Sequence, residues 1–117
     1  MLQYQPSLDR AFQALSDPAR RSMVERLTRG PASVSDLARP LAMSLSAVVQ
    51  HLQVLEASGL VASKKQGRVR ICRIEPQALA GIADWIARRR AVWERHLDRL
   101  GDYLATQADK SKRRRTP

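Results

Sequence analysis

The 117-residue sequence predicts a mainly α-helical domain carrying one β-hairpin, and three observations predict it. Apolar residues recur every three or four positions on both sides of residues 60–74, whose composition is that of two short strands around a glycine turn. Breakers punctuate the helical stretches at Pro6, Asp17-Pro18, Gly30-Pro31, Pro40, Gly59 and Pro76. The composition is 44% hydrophobic but only 4% aromatic, so the core must be aliphatic; the length allows one domain with a modest core.

The elements follow in order. A first helix starts after Pro6 with Ser7 as N-cap, and Leu8, Phe12 and Leu15 form an apolar stripe at i, i+4, i+7. Ser16-Asp17-Pro18 closes it and opens a second helix, with Asp17 as cap and Pro18 in the first position. That helix runs to about Arg29, burying Met23, Val24 and Leu27 and turning Arg20, Arg21, Glu25 and Arg26 outward. A short helix at 33–38, a turn at 40–43 and a longer helix at 44–58, stopped by Gly59, form a helix-turn-helix. On the longer helix Leu45, Val48, Val49, Leu52 and Leu55 share a narrow arc, the expected core face. A basic ribbon at 60–74 follows, turning at Gly67.

The last helix begins after Pro76. Its apolar positions Leu79, Ile82, Ile86, Trp93, Leu97, Leu100 and Leu104 make a heptad-like seam, with Arg90 in the skipped position. A helix of almost thirty residues is too long for a chain of this size to cover. Part of the seam packs on the chain's own first helices, and the rest asks for a helix from a second copy. The expected homodimer contact is therefore Leu8, Phe12 and Leu15 with Ile86, Trp93, Leu97, Leu100 and Leu104. The domain is expected over 1–109, followed by a polar, basic and disordered tail at 110–117.

The formal net charge is +10, which points to a polyanion: nucleic acid first, an anionic membrane surface second. The charge is not confined to the tail, because the first 109 residues keep half of it. A single cysteine, Cys72, excludes an internal disulfide. Beside Arg70 and Arg73 its thiol is either a low-pKa redox group or a small buried hydrophobe on a strand. The first residues lack a basic segment followed by an apolar run, and no stretch approaches the about 18 apolar residues of a membrane span. The expectation is a soluble cytoplasmic protein. No phosphate loop, metal cluster or nucleophile–base–orienter set is present, so no enzyme is expected.

A helix-turn-helix followed by a basic hairpin fits a DNA duplex: the second helix enters the major groove and the hairpin reaches over the neighbouring backbone. Ser44, Ser46, Ala47, Gln50 and His51 lie in the N-terminal half of that helix, away from the arc. Gln50 can bond adenine bidentately, Ser46 is permissive and Ala47 can touch a thymine methyl. His51 either donates to a phosphate or holds a backbone carbonyl. Lys64, Lys65 and Arg68 at the ribbon tip, with Arg70 and Arg73 along the second strand, are the expected phosphate contacts; a tip arginine can also enter the minor groove.

With these residues in place, the segments LSDPARRSMVERLTRGPASVSDLA, MSLSAVVQHLQVLEASGLV and KKQGRVRICRI resemble the arsenical-resistance-repressor (ArsR-type) family of bacterial winged-helix regulators. DWIARRRAVWERHLDRLGDYL resembles a branch of it that often lacks a metal site. The resemblance spans about residues 7–105. It implies a winged helix-turn-helix dimerised through the first and last helices, two recognition helices in successive major grooves, and repression relieved by a signal. The family usually has a small polar residue where this chain has Val49, and basic residues at Gln50 and often Gln53. Metal-sensing members carry a Cys-x-Cys pair where this chain reads 33–37 without cysteine. Others use carboxylates and histidines on the last helix, where Asp84, Glu94 and His96 lack a second histidine at useful spacing. No metal and no cofactor are therefore expected. The reading is a homodimeric, sequence-specific DNA-binding regulator, a repressor acting on an inverted-repeat operator in double-stranded DNA. The alternative is a non-specific nucleoid or RNA-binding protein.

Overall fold

The computed structural model describes residues 6–115. Helix α1 spans Pro6–Ala14 and α2 spans Pro18–Leu27. Pro6 is already helical, so Ser7 lies inside the first turn rather than capping it; proline's fixed φ suits that opening position. Asp17 does cap α2, its carboxylate accepting from the Ala19 and Arg20 amides at 2.8 and 3.1 Å. The helix ends at Leu27, two residues earlier than expected. The amides of Arg29 and Gly30 bond back only three residues, to Arg26 and Leu27, which tightens the chain out of the α-helix before Gly30 turns at φ 141°.

A two-residue strand, β1 (Ala32–Ser33), precedes α3 (Val34–Ala38). Ser33 serves both: it ends the strand, and its hydroxyl accepts from the Asp36 amide at 3.1 Å. Helix α4 (Leu45–Ala57) is capped in the same way by Ser44, which accepts from Ala47 at 3.1 Å, and it closes at Ser58 before Gly59 at φ 82°. Strands β2 (Val61–Gln66) and β3 (Val69–Ile74) pair antiparallel from Val61↔Ile74 to Gln66↔Val69. Only Gly67 and Arg68 connect them. Gly67 has φ 65° and among the described residues only glycines have positive φ, which makes the connection a type II′ turn. β1 joins the far edge of β3, giving the sheet order β1-β3-β2.

The core is aliphatic, as expected: Met23, Leu27, Leu37, Val48, Leu52, Leu55, Leu60 and Val61 are buried with Cys72. From α1 the fully covered residues are Ala11 and Ala14, with Leu8 and Leu15 packed against the core; Phe12 stays 39% exposed. The three-residue stripe thus divides, two members serving the chain's own core.

Helix α5 runs from Pro76 to Arg115 as one 40-residue helix. The chain divides into two units after Ile82, the last buried residue of the helix. Beyond it, Ile86, Trp93, Leu97, Leu100 and Leu104 are all exposed. The polar end is helical through Arg115 where disorder was expected. Nothing between Asp102 and Arg115 breaks a helix, Asp109 pairs with Arg113 one turn on at 3.8 Å, and the terminal cations suit the negative end of the helix dipole.

Candidate nucleic-acid interface

The interface is built on α4 and the wing formed by β2 and β3. Val48, Leu52 and Leu55 fix α4 in the core. Leu45 and Val49, expected on the same face, are 55% and 39% exposed. They lie on the side of the arc away from Leu55, whereas Val48 in the same half of the helix is fully buried. With Ser46, Gln50 and Gln53 they make one exposed surface. The apolar pattern hid Leu45 and Val49, because a helical wheel cannot tell a covered apolar residue from one held out for a partner. Ala47 is half-buried.

His51 does not lie on that surface. It is half-buried against α2, with Nδ1 3.2 Å from Nη1 of Arg20 and 4.0 Å from Oδ1 of Asp17. At Nδ1 its neighbours are thus side chains of α2, where a phosphate or a backbone carbonyl was expected. Arg20, expected to point outward, instead folds back to donate from Nε to the Ala14 carbonyl at 2.7 Å and from Nη2 to Gln13 at 3.4 Å. The Asp17 carboxyl is held below the usual carboxylate range, first by the Arg20 amide. Burial opposes it as the next largest effect, and the Ala19 amide and the charges of His51 and Arg20 add lesser contributions in the lowering direction.

The wing splits its charges over two faces. Paired residues of an antiparallel ribbon share a face, so Lys65 and Arg70 stand together, on the side of buried Val61 and Cys72, while Lys64 stands on the other side with Ile71. Like charges directly opposite repel. Arg70 turns away from the tip: its Nη1 donates to Ser63 Oγ at 2.9 Å, and that hydroxyl donates to Glu56 Oε1 on α4. The expected phosphate contact is thus engaged in tying the wing root to α4. Arg73 likewise faces Glu75 at 3.4 Å. Lys64, Lys65 and Arg68 remain exposed around the turn.

Cys72 is fully buried on the central strand, and burial, followed by the Glu56 charge, pushes its thiol up against a smaller opposing effect of Arg70. This fits the small-hydrophobe alternative and runs against a low-pKa thiol. Among the described residues no three His, Cys, Asp or Glu side chains gather to hold a metal ion, and no helix is long and apolar enough to cross a membrane.

A short helix, a capped second helix that exposes Ser46 and Gln50 in its N-terminal half, and a hairpin with cations at its turn define a winged helix-turn-helix of the DNA-binding regulator class. The comparisons narrow the class. A helix-turn-helix domain model matches residues 15–64. The HTH-type transcriptional regulator Rv2034 of Mycobacterium tuberculosis is 40% identical over 103 residues, 88% of this chain and 94% of that protein. The crystal structure of an ArsR family transcriptional regulator, RHA00566, superposes with a TM-score of 0.72 at 46% identity, covering 80% of this chain and 97% of that one. A homodimeric winged helix-turn-helix domain from Mycobacterium bovis, described as a possible ArsR-family regulator, has a TM-score of 0.58 at 25% identity, with 84% and 94% covered. This chain belongs to the ArsR family of winged-helix transcriptional regulators.

Proposed function

We propose that the chain works as a homodimeric repressor that reads an inverted-repeat operator through the N-terminal half of α4. One observation carries the reading: Ser46 and Gln50 are exposed on the half of α4 that Ser44 caps, in the same compact unit as a wing whose cations stand free at its tip. Ser46, Ala47 and Gln50 face base edges, Leu45 and Val49 supply apolar contacts suited to thymine methyls, and the Ser44 end of the helix approaches the backbone. Lys64, Lys65 and Arg68 neutralise phosphates and set the register. Relative to the sequence-based assignment, Arg70 and His51 move from direct contact to support. Occupying a promoter is enough to exclude polymerase, so repression needs no further chemistry from these residues.

The homodimer reading rests on the exposed seam from Ile86 to Leu104 and on Phe12. A homodimeric relative of the same fold supports it. In this reading the part of α5 beyond Ile82, which carries the exposed seam, serves dimerisation, while Ile82 itself belongs to the chain's own core.

Selection of duplexes from a random library by the full chain tests the proposal. The enriched pool is expected to hold an inverted repeat with half-sites about one helical turn apart. Binding that enriches no sequence and varies only with salt would establish the non-specific alternative instead.

A further inference from the structure

Arg20 joins three helices. Its Nε and Nη2 hold the last carbonyls of α1, at Ala14 and Gln13; its amide is held by Asp17 at the start of α2; and Nη1 lies 3.2 Å from His51 Nδ1 in the middle of α4. A guanidinium only donates, so this last bond exists only while Nδ1 carries a lone pair, that is, in neutral imidazole protonated at Nε2. The same Nδ1 lies 4.0 Å from Asp17 Oδ1. An imidazolium has no acceptor for Arg20, is repelled by it, and becomes a donor to the carboxylate. The two contacts exclude each other, and one proton selects between them.

The contacts of His51 Nδ1 with charged groups come from α2, at Arg20 and Asp17. From α1 the ring's neighbourhood receives backbone carbonyls through Arg20. On α3, Asp36 and Arg39 pair with each other at 3.3 Å. On β2, Ser63 engages Glu56 more than a turn further along α4.

We propose that Arg20 and His51 are positioning residues for the recognition helix. Neutral His51 lets Arg20 lock α4 to the end of α1 in the orientation that reads bases. Protonation hands the ring to Asp17 and releases the lock. The proposal rests on the DNA-reading role of α4 given above. It predicts that acid weakens discrimination between sequences. Added positive charge alone would strengthen binding to every duplex, so the two effects have opposite signs.

The experiment measures the affinity of the full chain for a duplex enriched from a random library and for a scrambled duplex of equal composition, at about pH 7.5 and about pH 5.5, a range in which histidine side chains change charge. The ratio of the two affinities is expected to fall about tenfold in acid, the size of one charged hydrogen bond. Arg20→Gln should lower the ratio already at the higher pH. In His51→Gln, whose amide oxygen accepts from Arg20 without titrating, the ratio should not change with pH. His96→Gln, at the only other histidine, should respond as wild type does. A His51→Gln ratio that falls with acid as steeply as wild type, or a flat wild-type ratio, overturns the proposal.

Imidazole nitrogen-15 shifts of the free protein examine the lock without DNA. His51 should be the Nε2–H tautomer in base, and Arg20→Gln should abolish that bias. A tautomer indifferent to Arg20 also overturns the proposal. A chain that enriches no duplex while its tautomer follows Arg20 overturns the DNA-reading role, and with it the positioning of a recognition helix, but not the lock.

Discussion

Trp93→Glu should convert the protein to a monomer. In the single chain Trp93 is 61% exposed, the most exposed of the large apolar residues on α5. An indole side chain offers up to about 250 Å², so about 150 Å² is open for a partner to cover. At about 25 cal/mol per Å² this amounts to about 4 kcal/mol per copy, or about 8 kcal/mol for two copies if all of it is buried. A nanomolar dimer is held by about 12 kcal/mol. Losing two thirds of that leaves millimolar association, and two carboxylates facing the seam weaken it further. Sedimentation velocity at micromolar protein should therefore report a monomer. Far-UV circular dichroism should be little changed, because the buried core lies at or before Ile82. A variant that still sediments as a dimer would place the interface elsewhere and remove the seam from the account.

Three further outcomes are expected. Gln50→Ala should change base preference by about 1–3 kcal/mol at one base pair per half-site, whereas Arg68→Ala should weaken all duplexes alike and lower the salt slope by about one unit per lost phosphate contact in each protomer; binding isotherms on matched and mutated duplexes at several salt concentrations distinguish the two. Leu55→Ala, at a fully buried residue, should cost about 2–5 kcal/mol in urea unfolding without altering the readers on α4. Asp17, whose carboxyl is held low, stabilises the folded chain above the ordinary carboxylate range, and this contribution is lost as the pH falls through the lowered native value; Asp17→Asn, which caps without a charge, should flatten the acid limb of thermal stability between about pH 5 and 2.

What the sequence revealed and what it hid divide along the range of the interactions. Asp17-Pro18 and Gly67 act within three residues of themselves, so their type and spacing disclosed the start of α2 and the hairpin turn. The core face of α4 was legible at Val48, Leu52 and Leu55. It misled at Leu45 and Val49, whose apolar character serves a surface that no periodicity distinguishes from a core. His51 was misplaced because its partner sits 31 residues away on α2, and Arg70 because its engagement depends on a strand register that leads it back to Ser63. A two-residue strand such as β1 has no period to detect. Polar composition hides the end of α5, because it resembles that of a disordered tail although no breaker interrupts residues 102–115.

The burial of Cys72 makes the chain its own probe of wing motion. Cys72 is the sole thiol and lies on the middle strand, paired with Ala32 on one side and Ser63 on the other. A reagent reaches its sulfur only when the sheet parts or lifts from the core packed on it, so in the fast-closing regime the alkylation rate measures the free energy of that opening. No label need be introduced. The same measurement on free and DNA-bound protein would give the rigidity that a duplex confers on the wing in kilocalories.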